Sequence, residues 1–200
     1  MNEMLVREAL RERILAVTKG ARDTVDEFWV PRSNERADLA VIGTSMDGFE
    51  IKTERDTLKR LPRQVEAYGR LFDRCSVVVA ERHLDAAKDI VPAWWGISVV
   101  HLNGETRFTD IRTAGRNPKI DREILVRLLW KEEVHNALVQ LGSAPEGKTS
   151  RNALWGELLE LTSLSQLRAT VRRALLDRDP SRARIATKRF RLAAATQVVE

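Results

Sequence analysis

Two carboxylates and a lysine stand close together in a part of the chain that has the pattern of two short strands. Asp38 comes directly before an apolar run, and Glu50 and Lys52 flank Ile51 in a second run. Because side chains alternate along a strand, Glu50 and Lys52 share one face, while Ile51 points to the core. Such a group fits a metal-dependent catalytic site, and it also fits an ordinary surface ion pair.

These residue types match what the hydrolysis of a phosphodiester requires. The reaction needs charge neutralisation at the phosphate and an activated water. Two carboxylates can hold Mg²⁺ together with its waters and a phosphate oxygen. A lysine beside them can orient or help to deprotonate the attacking water and stabilise the developing negative charge. The spacing alone does not prove this chemistry, because Asp followed later by Glu-x-Lys is frequent by chance.

Apolar periodicity and turn residues predict the elements that position this group. One predicted helix carries Gln64 and Tyr68 on a single face, one turn apart. A turn containing Asp47-Gly48 is expected between the second and third strands, and Asn103-Gly104 predicts a type I′ hairpin. The pattern gives helices at 4–17, 58–72 and 83–91, and strands at 24–30, 37–42, 48–52, 75–80, 97–102 and 106–111.

Beyond Asn117-Pro118 the strand pattern stops, which predicts a mixed α/β domain over 1–117 and a basic helical domain over 118–200. Residues 121–141 have the pattern of one long amphipathic helix, followed by helices at 151–161 and 163–177. Ser163 and Gln166 have the spacing of a capping box. The last two helices with their short turn resemble a helix-turn-helix, and the stretch beyond Pro180 is expected to be a loose basic helix or tail.

Composition narrows the class of protein. With one cysteine and three histidines, neither a disulfide framework nor a histidine-rich metal site is expected. The amino-terminal stretch does not match a signal peptide, and no apolar run reaches transmembrane length. We therefore expect a cytoplasmic protein without a membrane partner.

The positive charge of the chain is concentrated at its end. Net charge is +5, and residues 151–200 contain ten basic and five acidic residues, so they account for the whole excess. A basic end on a neutral body indicates a polyanion partner such as nucleic acid. A solvated helix face rich in arginine explains the same charge equally well.

The order of these features resembles the PD-(D/E)XK nuclease superfamily, within it a small family of bacterial and phage proteins. Asp38 matches the aspartate of its second motif, with Ala37 where the name has proline, and Glu50-Ile51-Lys52 matches the Glu-x-Lys. Gln64 and Tyr68 look like the Q-x-x-x-Y element of the RecB-like branch. The resemblance is close over about 24–102 and looser over the C-terminal helices. It implies a restriction-endonuclease-like mixed sheet flanked by helices, with a C-terminal helical extension.

The resemblance also implies an activity and a set of site residues. The expected protein is a Mg²⁺- or Mn²⁺-dependent nuclease that hydrolyses DNA, with RNA as an open alternative, in repair, defence or mobile-element processing. The rival reading is a nucleic-acid-binding or adaptor protein that keeps the fold without cutting. A homodimer is compatible with either. The expected catalytic residues are Asp38, Glu50, Lys52 and Gln64.

Further residues are expected to bind metal or nucleic acid. Asp38 and Glu50 would hold the metal with a third acid, for which Glu27 ranks above Glu8 and Glu12. Nucleic-acid contacts are expected from Arg36, Arg63, Tyr68, Arg172 and Arg173.

Overall fold

The computed structural model describes residues 3–17, 23–103, 105–147 and 149–178. The chain forms two compact units, Met1–Ile120 and Asp121–Glu200, against a sequence-based boundary after residue 117. The first unit contains every strand of the described residues, and the second is helical.

A single mixed sheet is the centre of the first unit. Its six strands lie in chain order, with antiparallel pairs at both ends and two parallel pairs, β3–β4 and β4–β5, in the middle. The mixed α/β class expected from the sequence is therefore observed. The strands are β1 Asp23–Trp29, β2 Arg36–Ile42, β3 Met46–Lys52, β4 Arg74–Ala80, β5 Gly96–Asn103 and β6 Glu105–Arg112.

Three α-helices of the described residues accompany this sheet. Helix α1 is Glu3–Val17, α2 is Leu61–Gly69 after a 3₁₀ turn at Leu58–Arg60, and α3 is Leu84–Ile90 after a second 3₁₀ turn. Helix α1 buries an apolar stripe on one face of the sheet, as its periodicity predicts. This core contains Val6, Leu10, Leu39, Ile51, Val78 and Val100.

Helix α2 lies on the opposite face of the sheet. Ile51 faces α1, so its neighbours Glu50 and Lys52 face the other way, where Gln64 and Tyr68 of α2 contact Glu50. The site residues therefore lie between the central strands and α2.

The predicted turn at Asp47-Gly48 is wrong, because both residues lie within β3. The chain reverses earlier, where the backbone N–H of Gly43 donates to the carbonyl of Ser45 at 2.9 Å. Gly48 has a packing role instead: a Cβ at this position would lie 2.5 Å from the Phe72 ring. The glycine therefore marks a close approach between β3 and a buried ring.

The second hairpin pairs as predicted, although its turn is not described. Strands β5 and β6 are antiparallel, with Asn103 opposite Glu105. The residue between them, Gly104, lies outside the described residues, so the turn type stays a prediction.

The second unit is built from four described helices. The predicted helices over 151–161 and 163–177 are confirmed, and the capping box at Ser163 and Gln166 is present. The single helix predicted over 121–141 is wrong, because the chain forms two helices there. The four are α4 Arg122–Val126, α5 Lys131–Gln140, α6 Arg151–Leu161 and α7 Leu164–Leu176.

A long-range contact explains the break between α4 and α5. The Glu133 carboxylate accepts a hydrogen bond from the Trp130 backbone N–H at 2.7 Å and so begins α5. Arg178 pairs with Glu133 at 2.7 Å and also donates to the Leu128 carbonyl at 2.5 Å. Arg178 thus satisfies a carbonyl that a continuous helix would have bonded internally.

The predicted tail beyond Pro180 lies outside the described residues. Among the helices that are described, none has the length and apolar character needed to cross a membrane. The cytoplasmic location stays a prediction.

Candidate active site

Asp38 and Glu50 lie where β2 and β3 separate. The last residue pair of this ladder is Leu39 with Phe49, and Asp38 and Glu50 are the next residues on the two strands. Past that pair, Asp38 Oδ2 accepts a hydrogen bond from the Ile51 backbone N–H at 2.7 Å. The Asp38 side chain thus accepts a hydrogen bond from a backbone N–H of β3 at the point where the pairing between β2 and β3 has ended.

Glu50 is the centre of the site. Its side chain is 1% exposed, and its Oε1 accepts hydrogen bonds from Lys52 Nζ and Gln64 Nε2, each at 2.5 Å. The Tyr68 hydroxyl lies 2.5 Å from Oε2. The structure therefore brings together four residues that the sequence singled out, with Asp38 beside them.

Two aromatic rings from outside α2 pack against Tyr68. The ring is stacked on Trp95 with centroids 5.9 Å apart and meets Phe72 edge-on at 5.6 Å. Tyr68 is fully buried, so its surface does not reach a nucleic acid in this structure. Its observed role is to hold Glu50.

The hydroxyl of Tyr68 has two acceptors and one proton. Besides Glu50 Oε2, it lies 2.6 Å from the Arg36 carbonyl oxygen. Glu50 Oε2 and the Arg36 carbonyl oxygen therefore share the single hydroxyl proton of Tyr68. Burial of the Glu50 carboxyl raises its pKa, against the attraction of Lys52.

Charge at the site is unbalanced. The pKa of Asp38 is raised to about 7, first by burial and then by the nearby Glu50 carboxylate, while the Ile51 hydrogen bond and Lys52 oppose the rise. Two carboxylates face one ammonium in a desolvated place, which disfavours ionisation of both. A bound divalent cation would remove that penalty.

The residues present fit Mg²⁺ in this respect, since Mg²⁺ keeps several waters and binds through one or two carboxylates. Asp38 and Glu50 would hold it. Gln64 adds a polar group for a water, because its side-chain oxygen is buried and has no hydrogen-bond partner in a residue that is 3% exposed.

The identity of the third acid stays a prediction. Among the described residues there is no group of three acidic, histidine or cysteine side chains that could hold a metal. Glu27 pairs with Arg36 at 3.2 Å, and its φ of 51° lies in the left-handed region. Glu8 and Glu12 are exposed.

Glu3 is the acid of α1 whose charge reaches the site. It raises the pKa of Asp38 after burial and Glu50, and it forms an ion pair with Arg7. Helical phase is the signal that could have found it: Glu3 lies three and seven residues before Val6 and Leu10, which form the buried stripe of the helix.

Glu35 and Arg60 lie near the site, although no motif in the sequence singled them out. Glu35 is buried, with a side chain 8% exposed, and it pairs with Arg60 at 2.8 Å and with Arg63 at 3.8 Å. Arg36, expected to contact nucleic acid, pairs with Glu27 and lies over Trp29 at 5.9 Å. No sequence signal marked Glu35, because a glutamate next to a strand is ordinarily solvated.

The predicted nucleic-acid residues of the second unit lie on α7. Arg172 is half-buried, and desolvation lowers its pKa. Arg173 is exposed and lines a cavity of about 810 Å³ between α5 and α7.

The fold and the site define a mixed α/β protein that buries a carboxylate–lysine pair beneath a helix. The chain belongs to the family described as bacteriophage P4 protein cII, whose family model matches residues 3–195. Protein cII of Enterobacteria phage P4 is 27% identical over 148 residues, which is 74% of this chain and 56% of the phage protein. The chain thus spans little more than half the length of that relative.

Among solved structures, the chain is similar to the SPO1766 protein of unknown function from Silicibacter pomeroyi. The two are 19% identical, and the match covers 57% of this chain and 72% of the other with a TM-score of 0.41. That likeness is too weak to carry an inference.

Proposed function

We propose that this protein is a metal-dependent nuclease that hydrolyses DNA phosphodiesters on a restriction-endonuclease-like fold. The observation that supports the proposal is the convergence of Asp38, Glu50 and Lys52 at one end of β2 and β3. Lys52 Nζ lies 2.5 Å from Glu50, and Asp38 is close enough for the Glu50 charge to raise its pKa. Repair, defence and mobile-element processing are all compatible with this activity.

The residues of the chain have distinct parts in such a reaction. Bound Mg²⁺ or Mn²⁺ would neutralise phosphate charge and favour ionisation of a water. Lys52 would orient that water and stabilise negative charge as the P–O bond to the leaving group breaks. Gln64 would accept a hydrogen bond from the water through its side-chain oxygen, and Tyr68 keeps Glu50 in place.

A specific observation favours a second candidate, a nucleic-acid-binding protein that does not cut. Both oxygens of Glu50 already accept hydrogen bonds from Lys52, Gln64 and Tyr68. This candidate predicts DNA binding that is independent of metal and strongly dependent on salt.

The test is cleavage of plasmid and single-stranded DNA by the purified protein with Mg²⁺ or Mn²⁺. Lys52→Ala should lower the cleavage rate by about 10²-fold or more, since it removes the group that acts on the water. Lys88→Ala is the matched control, because Lys88 is an exposed lysine paired with Asp85 on α3.

Unfolding curves must show that Lys52→Ala is folded, because it leaves Glu50 without its ammonium partner. An unchanged cleavage rate in that variant would show that the site assignment is wrong. Absence of cleavage by the wild type under every metal, with DNA binding intact, would favour the second candidate.

A further inference from the structure

The start of α2 carries a cluster of charges that the proposed reaction does not use. Glu35 precedes β2, and its carboxylate is 8% exposed. Arg60 Nη2 lies 2.8 Å from Glu35 Oε2, and Arg63 Nε lies 3.8 Å from Oε1. One buried carboxylate thus holds two guanidinium groups and leaves a net charge of one positive unit.

The arginines of this cluster face solvent although their partner does not. The side chain of Arg60 is 56% exposed and that of Arg63 is 71% exposed. A guanidinium has five N–H donors in a fixed planar arrangement, and one hydrogen bond to Glu35 leaves most of them available. The hydrogen bond to Glu35 thus orients Arg60, Arg63 lies at ion-pair distance from the same carboxylate, and both guanidinium groups stay accessible to a ligand from solvent.

The position of Glu35 is itself fixed by its neighbours in the turn before β2. Its backbone N–H donates to the Ser33 hydroxyl at 3.2 Å, and its carbonyl accepts from the Val30 N–H at 3.2 Å. Burying a carboxylate without partners costs free energy, so pairing with the two arginines stabilises the buried Glu35.

The cluster borders the candidate active site. Arg63 directly precedes Gln64, whose Nε2 donates to Glu50 at 2.5 Å. Glu35 directly precedes Arg36, whose carbonyl oxygen lies 2.6 Å from the Tyr68 hydroxyl. A DNA strand whose phosphate reached Asp38 and Glu50 would bring a neighbouring phosphate toward these arginines.

We propose that Arg60 and Arg63 form a subsite for a backbone phosphate of DNA next to the reacting one, and that buried Glu35 is the residue that positions them. The inference rests on the proposed function for its substrate, and its test does not require cutting. Planar donors held by a carboxylate suit a phosphate oxygen pair, which Arg binds in bidentate fashion.

The experiment measures binding of labelled duplex DNA to the full chain without metal, over a series of salt concentrations. Each phosphate contact contributes about 0.9 to the slope of log affinity against log salt. Arg60→Ala should lower the slope by about that amount and weaken binding about 10-fold or more. Arg60→Lys should recover the slope and part of the affinity, and the control Lys59→Ala, at the exposed neighbour, should lose less of both.

Glu35→Gln gives a test whose sign separates positioning from bulk charge. This variant makes the protein more positive, so general electrostatic attraction would tighten DNA binding. Loss of positioning instead weakens binding, and weaker binding is the expected result. Tighter binding would overturn the role of Glu35, and should this variant fail to fold, the exposed Arg60 variants decide the question.

The outcomes separate this subsite from the proposed function. If the wild type cuts DNA and Arg60→Ala keeps the full slope of log affinity against log salt, the subsite is wrong. The proposed nuclease activity is then unaffected. If the wild type never cuts DNA but Arg60→Ala lowers the slope of log affinity against log salt, the subsite is supported and the nuclease is contradicted. A wild type that does not bind DNA would overturn the subsite.

Discussion

Asp38 and Glu50 are held in different ways, although both are carboxylates on the same face of the sheet. Asp38 accepts one hydrogen bond, from the Ile51 backbone, whereas Glu50 is surrounded by three side-chain donors. The pKa of each is raised, and burial is the largest cause for both. Ionisation of both groups therefore lowers the free energy of unfolding of the metal-free protein.

This cost predicts how stability depends on pH. The pKa of Asp38 rises from 3.8 to about 7 on folding, so between these values the folded state binds more protons than the unfolded state. Without metal, the free energy of unfolding should fall as pH rises through this window, on the order of a few kcal/mol. In Asp38→Asn the fall should be smaller, and this variant should be more stable than wild type near pH 8.

Thermal or urea unfolding with a chelator present measures this effect. Added Mg²⁺ should stabilise the wild type near pH 8 and leave Asp38→Asn unchanged, because binding to the folded state alone raises stability. Asp85→Asn is the control, since Asp85 is 93% exposed. If Asp38→Asn is the less stable protein near pH 8 without metal, Asp38 is not held in the strained charge environment described above.

At the scale of elements, the distance between β3 and the chain that follows α2 decides whether the site can form. Gly48 is two residues before Glu50, and the Phe72 ring occupies the space that a side chain at position 48 would need. Phe72 also contacts Tyr68 edge-on. The glycine thus keeps β3 close to the helix that carries Gln64 and Tyr68.

Gly48→Ala should destabilise the first unit by about 1–3 kcal/mol through overpacking and lower any cleavage rate. Urea unfolding measures the change. Gly115→Ala is the matched control, because its added Cβ would lie 3.6 Å from the nearest atom, an ordinary contact. Combining Gly48→Ala with Phe72→Leu should recover part of the lost stability by making room at the contact. A fully stable Gly48→Ala would contradict the close packing.

At the scale of the whole molecule, the candidate site and the charge excess belong to different parts of the chain. Every residue of the candidate site lies within Met1–Ile120, whereas residues 151–200 hold ten basic and five acidic residues. This division suggests that chemistry and general attraction to a polyanion are separable.

Residues 1–120 expressed alone should therefore fold cooperatively and keep the response to Mg²⁺, because the whole sheet and its core are present. DNA binding should be weaker and have a smaller salt slope than in the full chain. A chain ending at Arg178 separates the contribution of α6 and α7 from that of the residues after them. Failure of residues 1–120 to unfold in one transition would show that the two units are not independent.

The strands and the residue types of the site could be predicted from the amino-acid sequence, because alternation along a strand is a local property. It placed Glu50 and Lys52 on one face and Gln64 and Tyr68 on one helix, and the structure bears out both placements. The resemblance to the PD-(D/E)XK superfamily, and the activity it implies, stay predictions.

Which residues surround those groups depends on contacts that form when the chain folds. Arg178 contacts Leu128 and Glu133, which lie on the two sides of the break within 121–141, and the reach of Glu3 to Asp38 depends on how α1 packs on the sheet. The hydrogen bond from Arg60 to Glu35 joins residues that are 25 positions apart. Each of these results from contacts between parts of the chain that are distant in sequence. Helical phase marks the face of α1 on which Glu3 lies, but it does not name the residue that this face meets.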